Sequence, residues 1–386
     1  VAEQDRGTYV ARKVVFNLTA DSRVLGLMLV PKDTDSLSFQ LGTNKLEAIR
    51  AMVPRRNLML LTDSSEHVAG GAGDGLMTPT SISAFPLSEH GCGSLAPLVF
   101  GDVVVFMQRK GTFPRAILAS TERGGYVAID MHSNSRHLFT GHTIVDWCYA
   151  EDPYSLIWAV RDDGALLSCA FNLEQEMIGW SIHWLANGGL AENICSIPEG
   201  QEDAVYITVN RGGNRYSERL TSRVIDDVRE ACILDACVRY DGRNTTSTKT
   251  VAVASGSVGD SVAVDVAGEA VAGEKDGTTI RVWASDGTSV DLKLTFQATT
   301  HYHGELLDPL STSISATSEW ATCINMLGGL NHLGGVGTEV KALIDGDVFE
   351  SDSLGFDGSS VKFGVPEGIT EEPTVWGAVV CVGLPY

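Results

Sequence analysis

Ser155-Leu156-Ile157-Trp158-Ala159-Val160-Arg161-Asp162-Asp163-Gly164-Ala165-Leu166-Leu167-Ser168-Cys169-Ala170-Phe171 decides how this chain folds. Two apolar runs, each short enough for a buried strand, flank Asp162-Asp163-Gly164. An Asp-Gly step supplies the positive-φ positions that a two-residue hairpin turn needs, so the stretch predicts a β-hairpin with its tip at Asp163-Gly164. A helix anywhere in 155–171 would contradict a propeller-like fold.

The same strand–turn–strand unit recurs outward in both directions. Val103-Val104-Val105-Phe106-Met107 precedes a Lys110-Gly111 turn. Ala116-Ile117-Leu118 and Tyr126-Val127-Ala128-Ile129 face each other across Arg123-Gly124-Gly125. Trp180-Ser181-Ile182-His183-Trp184 and Ala204-Val205-Tyr206-Ile207-Thr208-Val209 continue the series, and Asn57 to Thr62 forms an earlier buried strand. Comparable groups recur about every 40 residues, the repeat length of propeller blades. The expected fold is all-β, a β-propeller-like body with an inserted small β domain. The expected division is 1–245 for the body, 246–321 for the insertion and 322–386 for a return segment of the body. The middle part is rich in Thr, Ser, Val, Ala and Gly, with half-buried strands such as Thr279-Ile280-Arg281-Val282-Trp283. Two places carry a helical reading. Leu46 to Met52 suggests a short helical turn, and Glu218 to Cys232 reads as one short helix or a loop.

Composition limits the function. Hydrophobic residues are 44% and charged residues 20% of 386, enough to bury a sizeable core, and the 41 glycines suit many tight turns. The net charge of −21 repels nucleic acid, which argues against sequence-specific DNA binding but not against DNA as a passing cargo. Eight cysteines lie in apolar strand-like runs without a CxxC pair, so buried thiols and no disulfide are expected, as in a reducing cytoplasm. No apolar run approaches the ~18 residues of a membrane span.

Each motif that carries chemistry has a plainer reading. His301-Tyr302-His303 with Glu305 can put two imidazoles and a carboxylate on one strand face, yet no third His or Cys stands at a ligand spacing, and a polar loop is the plainer reading. Asp345-Gly346-Asp347 with Glu350 and Asp352 resembles part of a calcium loop but reads more simply as an Asp-Gly hairpin turn. Ser285-Asp286-Gly287-Thr288 resembles a turn of sialidase propellers without the flanking aromatics. Glu174 and Glu176 share a strand face, as paired carboxylates of a glycan-cleaving site would. Trp147, Trp158, Trp180 and Trp184 suit core packing, or else a carbohydrate platform. Gly70 to Gly75 lacks the ending of a phosphate loop. The sequons at Asn17 and Asn244 carry no weight without a secretion signal. The expectation is no enzyme, no catalytic residue, no cofactor and no metal.

A longer series of elements bears a family resemblance. It runs through Val105-Phe106-Met107-Gln108-Arg109-Lys110-Gly111, Gly125-Tyr126, Glu151-Asp152-Pro153-Tyr154, the Trp158 strand, Glu174-Gln175-Glu176 and Ile197-Pro198. It continues with Gly329-Leu330-Asn331-His332-Leu333, Ile344-Asp345-Gly346-Asp347 and the terminal Val382-Gly383-Leu384-Pro385-Tyr386. In this order the elements resemble the tail-nozzle proteins of short-tailed bacteriophages, also called tail tubular or packaged-DNA stabilisation proteins. The resemblance implies a structural virion protein, assembled in the host cytoplasm, whose subunits form a homo-oligomeric, hexameric ring below the portal and adaptor proteins of the head–tail connector. That ring continues the DNA channel, helps retain the packaged genome until DNA ejection, and anchors tail fibre or spike proteins. Members of the family extend beyond both ends of the matched region. Strands from other fragments of the same precursor are therefore expected to pair with this chain. A propeller glycan enzyme and a receptor-binding adhesin are the alternative readings.

Overall fold

The computed structural model describes residues 2–5, 8–11, 39–41, 47–71, 77–120, 125–172, 177–243, 251–252, 257–266, 275–283, 288–298, 301–307, 319–349, 354–364 and 375–385. These are almost wholly β, in small antiparallel sheets. The chain divides into two compact units, Val1–Trp184 with Gly189–Leu220, and Leu185–Gly188 with Thr221–Tyr386.

In the first unit a small sheet of β1 (Ala2–Asp5), β2 (Thr8–Ala11) and β3 (Phe39–Gln40) comes first. Four meanders follow in chain order, each strand pairing with its sequence neighbour. They are β4 (Ile49–Pro54), β5 (Leu58–Thr62), β6 (Glu66–Gly71) and β7 (Ile82–Ser88); then β8 (Leu98–Phe100), β9 (Val103–Met107), β10 (Pro114–Ser120) and β11 (Gly125–Asp130). The third has β12 (Ile144–Ala150), β13 (Leu156–Arg161), β14 (Leu166–Asn172) and β15 (Met177–His183). The fourth has β16 (Leu190–Glu199), β17 (Glu202–Arg211) and β18 (Asn214–Arg219).

Alternation along β9 explains how the meanders stack. Val103, Val105 and Met107 join a core with Trp147, Ile157, Ala159, Leu167 and Trp180 of the third meander. Val104 and Phe106 point the other way, into a core with Val53, Met59 and Leu61 of the first. A strand buried on both faces loses the polar alternation of a surface strand, which is why Val103 to Met107 reads as a continuous apolar run. The tryptophans are fastened as they pack: Trp147 Nε1 donates to the Ala96 carbonyl at 2.8 Å and Trp180 Nε1 to the Met131 carbonyl at 2.8 Å.

The hairpin expected at Asp163-Gly164 is present. Val160 pairs with Leu166, and Gly164 takes φ of 82°. Leu46 to Met52, by contrast, is not a helical turn over its described part, because β4 begins at Ile49. Ala51 and Val53 face inward while Arg50 and Met52 face out, and pairing with β5 stabilises that period-two pattern over any helical one.

In the second unit β19 (Asp235–Asp241) lies beside the last strand of the chain. One six-stranded sheet spans Val251–Cys323, formed by β20 (Val251–Ala252), β21 (Ser261–Val266), β22 (Thr279–Trp283), β23 (Ser289–Ala298), β24 (His301–Leu306) and β25 (Trp320–Cys323). Then come β26 (Met326–Gly328), β27 (Lys341–Ile344), β28 (Asp347–Phe349), β29 (Leu354–Phe356), β30 (Ser360–Phe363) and β31 (Val379–Leu384). The remaining sheets run β26-β30-β29 and β19-β31-β27-β28. The division at Leu220 groups residues 221–245 and the stretch from Thr322 with the six-stranded sheet. Within Glu218 to Cys232 the structure has a single 3-10 turn at Val228–Glu230, and Val224, Ile225 and Val228 lie exposed, so no apolar helical face is buried there. Among the described residues no helix is long and apolar enough to cross a membrane.

Candidate functional site

Two of the elements that carry the family resemblance meet at one irregularity of β19. The pairing of β19 with β31 slips between Asp235 and Val238, leaving Ala236 and Cys237 as a bulge, with Ala236 in the left-handed region at φ 50°. A non-glycine residue there costs about 1 kcal/mol or more, and its surroundings must hold it in place. They do so from three sides. The Asp235 carboxylate, buried, accepts from the Ala236 N–H at 2.8 Å and the Ala186 N–H at 2.5 Å. His332, in the Gly-Leu-x-His-Leu element, places Nε2 2.7 Å from the Ala236 carbonyl and donates to it. Gly383, in the terminal Val-Gly-Leu-Pro element, lies directly beneath: a Cβ there would sit 2.7 Å from the Asp235 carbonyl oxygen, 2.8 Å from Leu234 Cβ and 2.9 Å from Cys237 Cβ.

Three cysteines converge at the same bulge. Cys232 and Cys381 are joined by a disulfide, with Cα atoms 6.2 Å apart and a sequence separation of 149. Cys237 Sγ lies 2.8 Å from Cys232 Sγ. The expectation of eight unbonded thiols is therefore wrong at this pair. The pairing of β19 with β31 sets Cys381 opposite Arg239, and the segment entering β19 brings Cys232 across the strands. Cys195 is exposed, so the expectation of burial fails there too, whereas burial pushes Cys92, Cys148 and Cys169 up to about 12, leaving them protonated and unreactive.

The remaining candidates lie apart from this bulge. Asp345-Gly346 is the two-residue turn of the β27–β28 hairpin, with φ of 52° and 92°. The Asp345 carboxylate accepts from Ala378 N–H at 3.1 Å and Val379 N–H at 2.8 Å, and pairs with Arg281. Arg281 also grips Asp291 in a two-pronged pair at 2.7 and 2.8 Å, so the turn is tied to the six-stranded sheet. Glu350 and Asp352 lie outside the described residues. His301, His303 and Glu305 alternate along one exposed face of β24, so the motif is a strand and not the polar loop of the plainer reading. Among the described residues, two trios bring their ligand atoms within 4.8 Å of one another, the three cysteines and His142 with Asp162 and Asp163; the β24 face is not one of them. Asp162 is already bonded by Thr143 N–H and Oγ, and Asp163 by Arg161, which holds its carboxyl below the usual range.

Trp147, Trp158 and Trp180 are buried, whereas Trp184 is exposed with the Arg161 guanidinium 5.7 Å from its ring centre. Glu174 and Glu176, Ser285 to Gly287, Ala72 to Gly75 and both sequons lie outside the described residues.

Sequence reading missed one polar knot in the first unit. Glu47, Thr62, Ser65 and His67 are all almost fully buried. Ser65 Oγ lies 2.6 Å from Glu47 Oε2 and 2.7 Å from His67 Nε2, and Glu47 Oε2 lies 3.3 Å from the same nitrogen. A nucleophile relay needs the carboxylate on the far imidazole nitrogen and the hydroxyl open to substrate. Here the carboxylate and the hydroxyl both meet the same imidazole nitrogen, out of solvent. Beside it Glu66 is fully buried, and burial raises its carboxyl above the ordinary range although Ser88 and the His90 N–H bond it.

No protein-family model matches the chain, and a comparison with curated proteins finds no match either.

Proposed function

We propose that this chain is a structural subunit of a phage tail nozzle, a ring below the head–tail connector that continues the DNA channel, helps retain packaged DNA and anchors fibres or spikes. One observation carries the reading: two of the sequence elements behind the resemblance, about 50 residues apart, pack around the same β19 bulge and fix it. Residues used in this way specify a backbone, not a reaction. Stacked antiparallel meanders in chain order also suit a propeller-like body. The net charge of −21 suits a wall along which DNA slides without being held.

The ring is homo-oligomeric, with six subunits the family's number. Its neighbours are portal and adaptor proteins at one end and fibres or spikes at the other, and DNA passes without sequence-specific contact. Its place is the virion. Images of the purified chain test this. Closed rings with a central channel support the proposal. Particles without rotational symmetry, or cleavage of glycans by the purified chain, contradict it.

A further inference from the structure

The cysteine trio at the β19 bulge holds a disulfide and a third sulfur within reach of it. Cys237 Sγ sits 2.8 Å from Cys232 Sγ, which is already bonded to Cys381. The bulge creates this approach. Ala236 turns through the left-handed region, and the absence of a side chain at Gly383 lets Cys237 Cβ settle over β31. Cys237 is half-buried.

We propose that this trio is a site of internal thiol–disulfide exchange that ties the segment ahead of β19 to β31 and frees it again. The Cys237 thiol gives up its proton, and its thiolate attacks Cys232 Sγ. A Cys232–Cys237 bond forms as the Cys232–Cys381 bond breaks. The electron pair leaves on Cys381 Sγ, which takes up a proton. Sulfur oxidation is conserved, so no external oxidant or reductant enters. Before exchange the cross-link spans 149 residues and ties the segment ahead of β19 to β31. Afterwards it spans five residues within one segment, and β31 keeps its two ladders and its core packing but no covalent tie to the segment ahead of β19. The released segment is the one that exposes Val224, Ile225, Val228 and Ile233.

The test is non-reducing peptide mapping by mass spectrometry of protein quenched in acid and capped with N-ethylmaleimide, for the wild type, Cys237→Ser and Cys381→Ser. The wild type should yield both linkages. Their approach to a constant ratio should quicken by about tenfold per pH unit until the attacking thiol has titrated. Cys237→Ser should hold Cys232–Cys381 alone. Cys381→Ser, treated with oxidised glutathione, should form Cys232–Cys237. Should Cys381→Ser fail to fold, the wild-type time course decides by itself. A wild type that keeps only Cys232–Cys381 after prolonged incubation at alkaline pH overturns the proposal. So does a chain in which all three sulfurs stay reduced around one tightly held zinc ion.

Discussion

Replacing Gly383 by alanine tests whether the β19 bulge depends on what lies beneath it. The added methyl would sit 2.7 Å from the Asp235 carbonyl oxygen, 2.8 Å from Leu234 Cβ and 2.9 Å from Cys237 Cβ. None of these is the movable end of a long side chain. The carbonyl belongs to the bulge itself, held by the Asp235 carboxylate and His332. Forcing a methyl into packed, fixed surroundings costs about 1–3 kcal/mol, and rigid atoms put the cost toward the upper end. The backbone of Gly383 lies outside the left-handed region, so alanine adds no torsional strain there. Restricting the unfolded chain returns about 0.4–1 kcal/mol. The net expectation is a loss of about 2 kcal/mol, near 1 M in the urea midpoint for a slope of about 2 kcal/mol per M. Gly328→Ala is the control: nothing lies within 4 Å of its added methyl, and its stability should change by less than about 0.5 kcal/mol. Equal midpoints for the two variants, measured by circular dichroism and tryptophan fluorescence, would refute the reasoning.

Other outcomes follow from the same contacts. His332→Ala removes the donor to the Ala236 carbonyl and should lower stability by about 1 kcal/mol in urea titration. Asp345→Ala strips two backbone N–H groups and one partner of Arg281, and should cost about 3 kcal/mol by thermal unfolding. Glu66 has its carboxyl raised by burial, so the folded state keeps a proton that the unfolded state has lost. Stability therefore falls as pH rises from the ordinary carboxylate range through the raised folded value, and Glu66→Gln should flatten that part of the melting-temperature profile. Parallel profiles would contradict this. With a net charge of −21, the chain should leave duplex DNA unretarded in gel shifts at low salt.

Much of the fold was legible because turn chemistry is local. Asp163-Gly164 and Asp345-Gly346 each specify a hairpin through the φ values that glycine tolerates, and both are hairpin tips. His301 and His303 share one face because a strand has period two whatever it pairs with, but their polar character favoured a loop, and only the pairing of β24 with its neighbours settles the strand. Leu46 to Met52 misled because the helical spacing and the strand alternation share the same apolar residues, and only pairing with β5 chooses between them. The cysteine trio was illegible for a different reason. Cys381 reaches Cys232 only because β31 pairs with β19 across most of the second unit's sequence, and no local pattern encodes that register. The polar knot of Glu47, Thr62, Ser65 and His67 depends likewise on the register of β5 and β6 and on Glu47 beside them.

The central claim is that the chain builds a closed ring, and its mass in solution tests this most directly. Native mass spectrometry across a range of concentrations should give one discrete species near six times the 41.2 kDa of the chain, since a closed ring has no free interface for further growth. A monomer at every concentration, or an open-ended ladder of sizes, would contradict it.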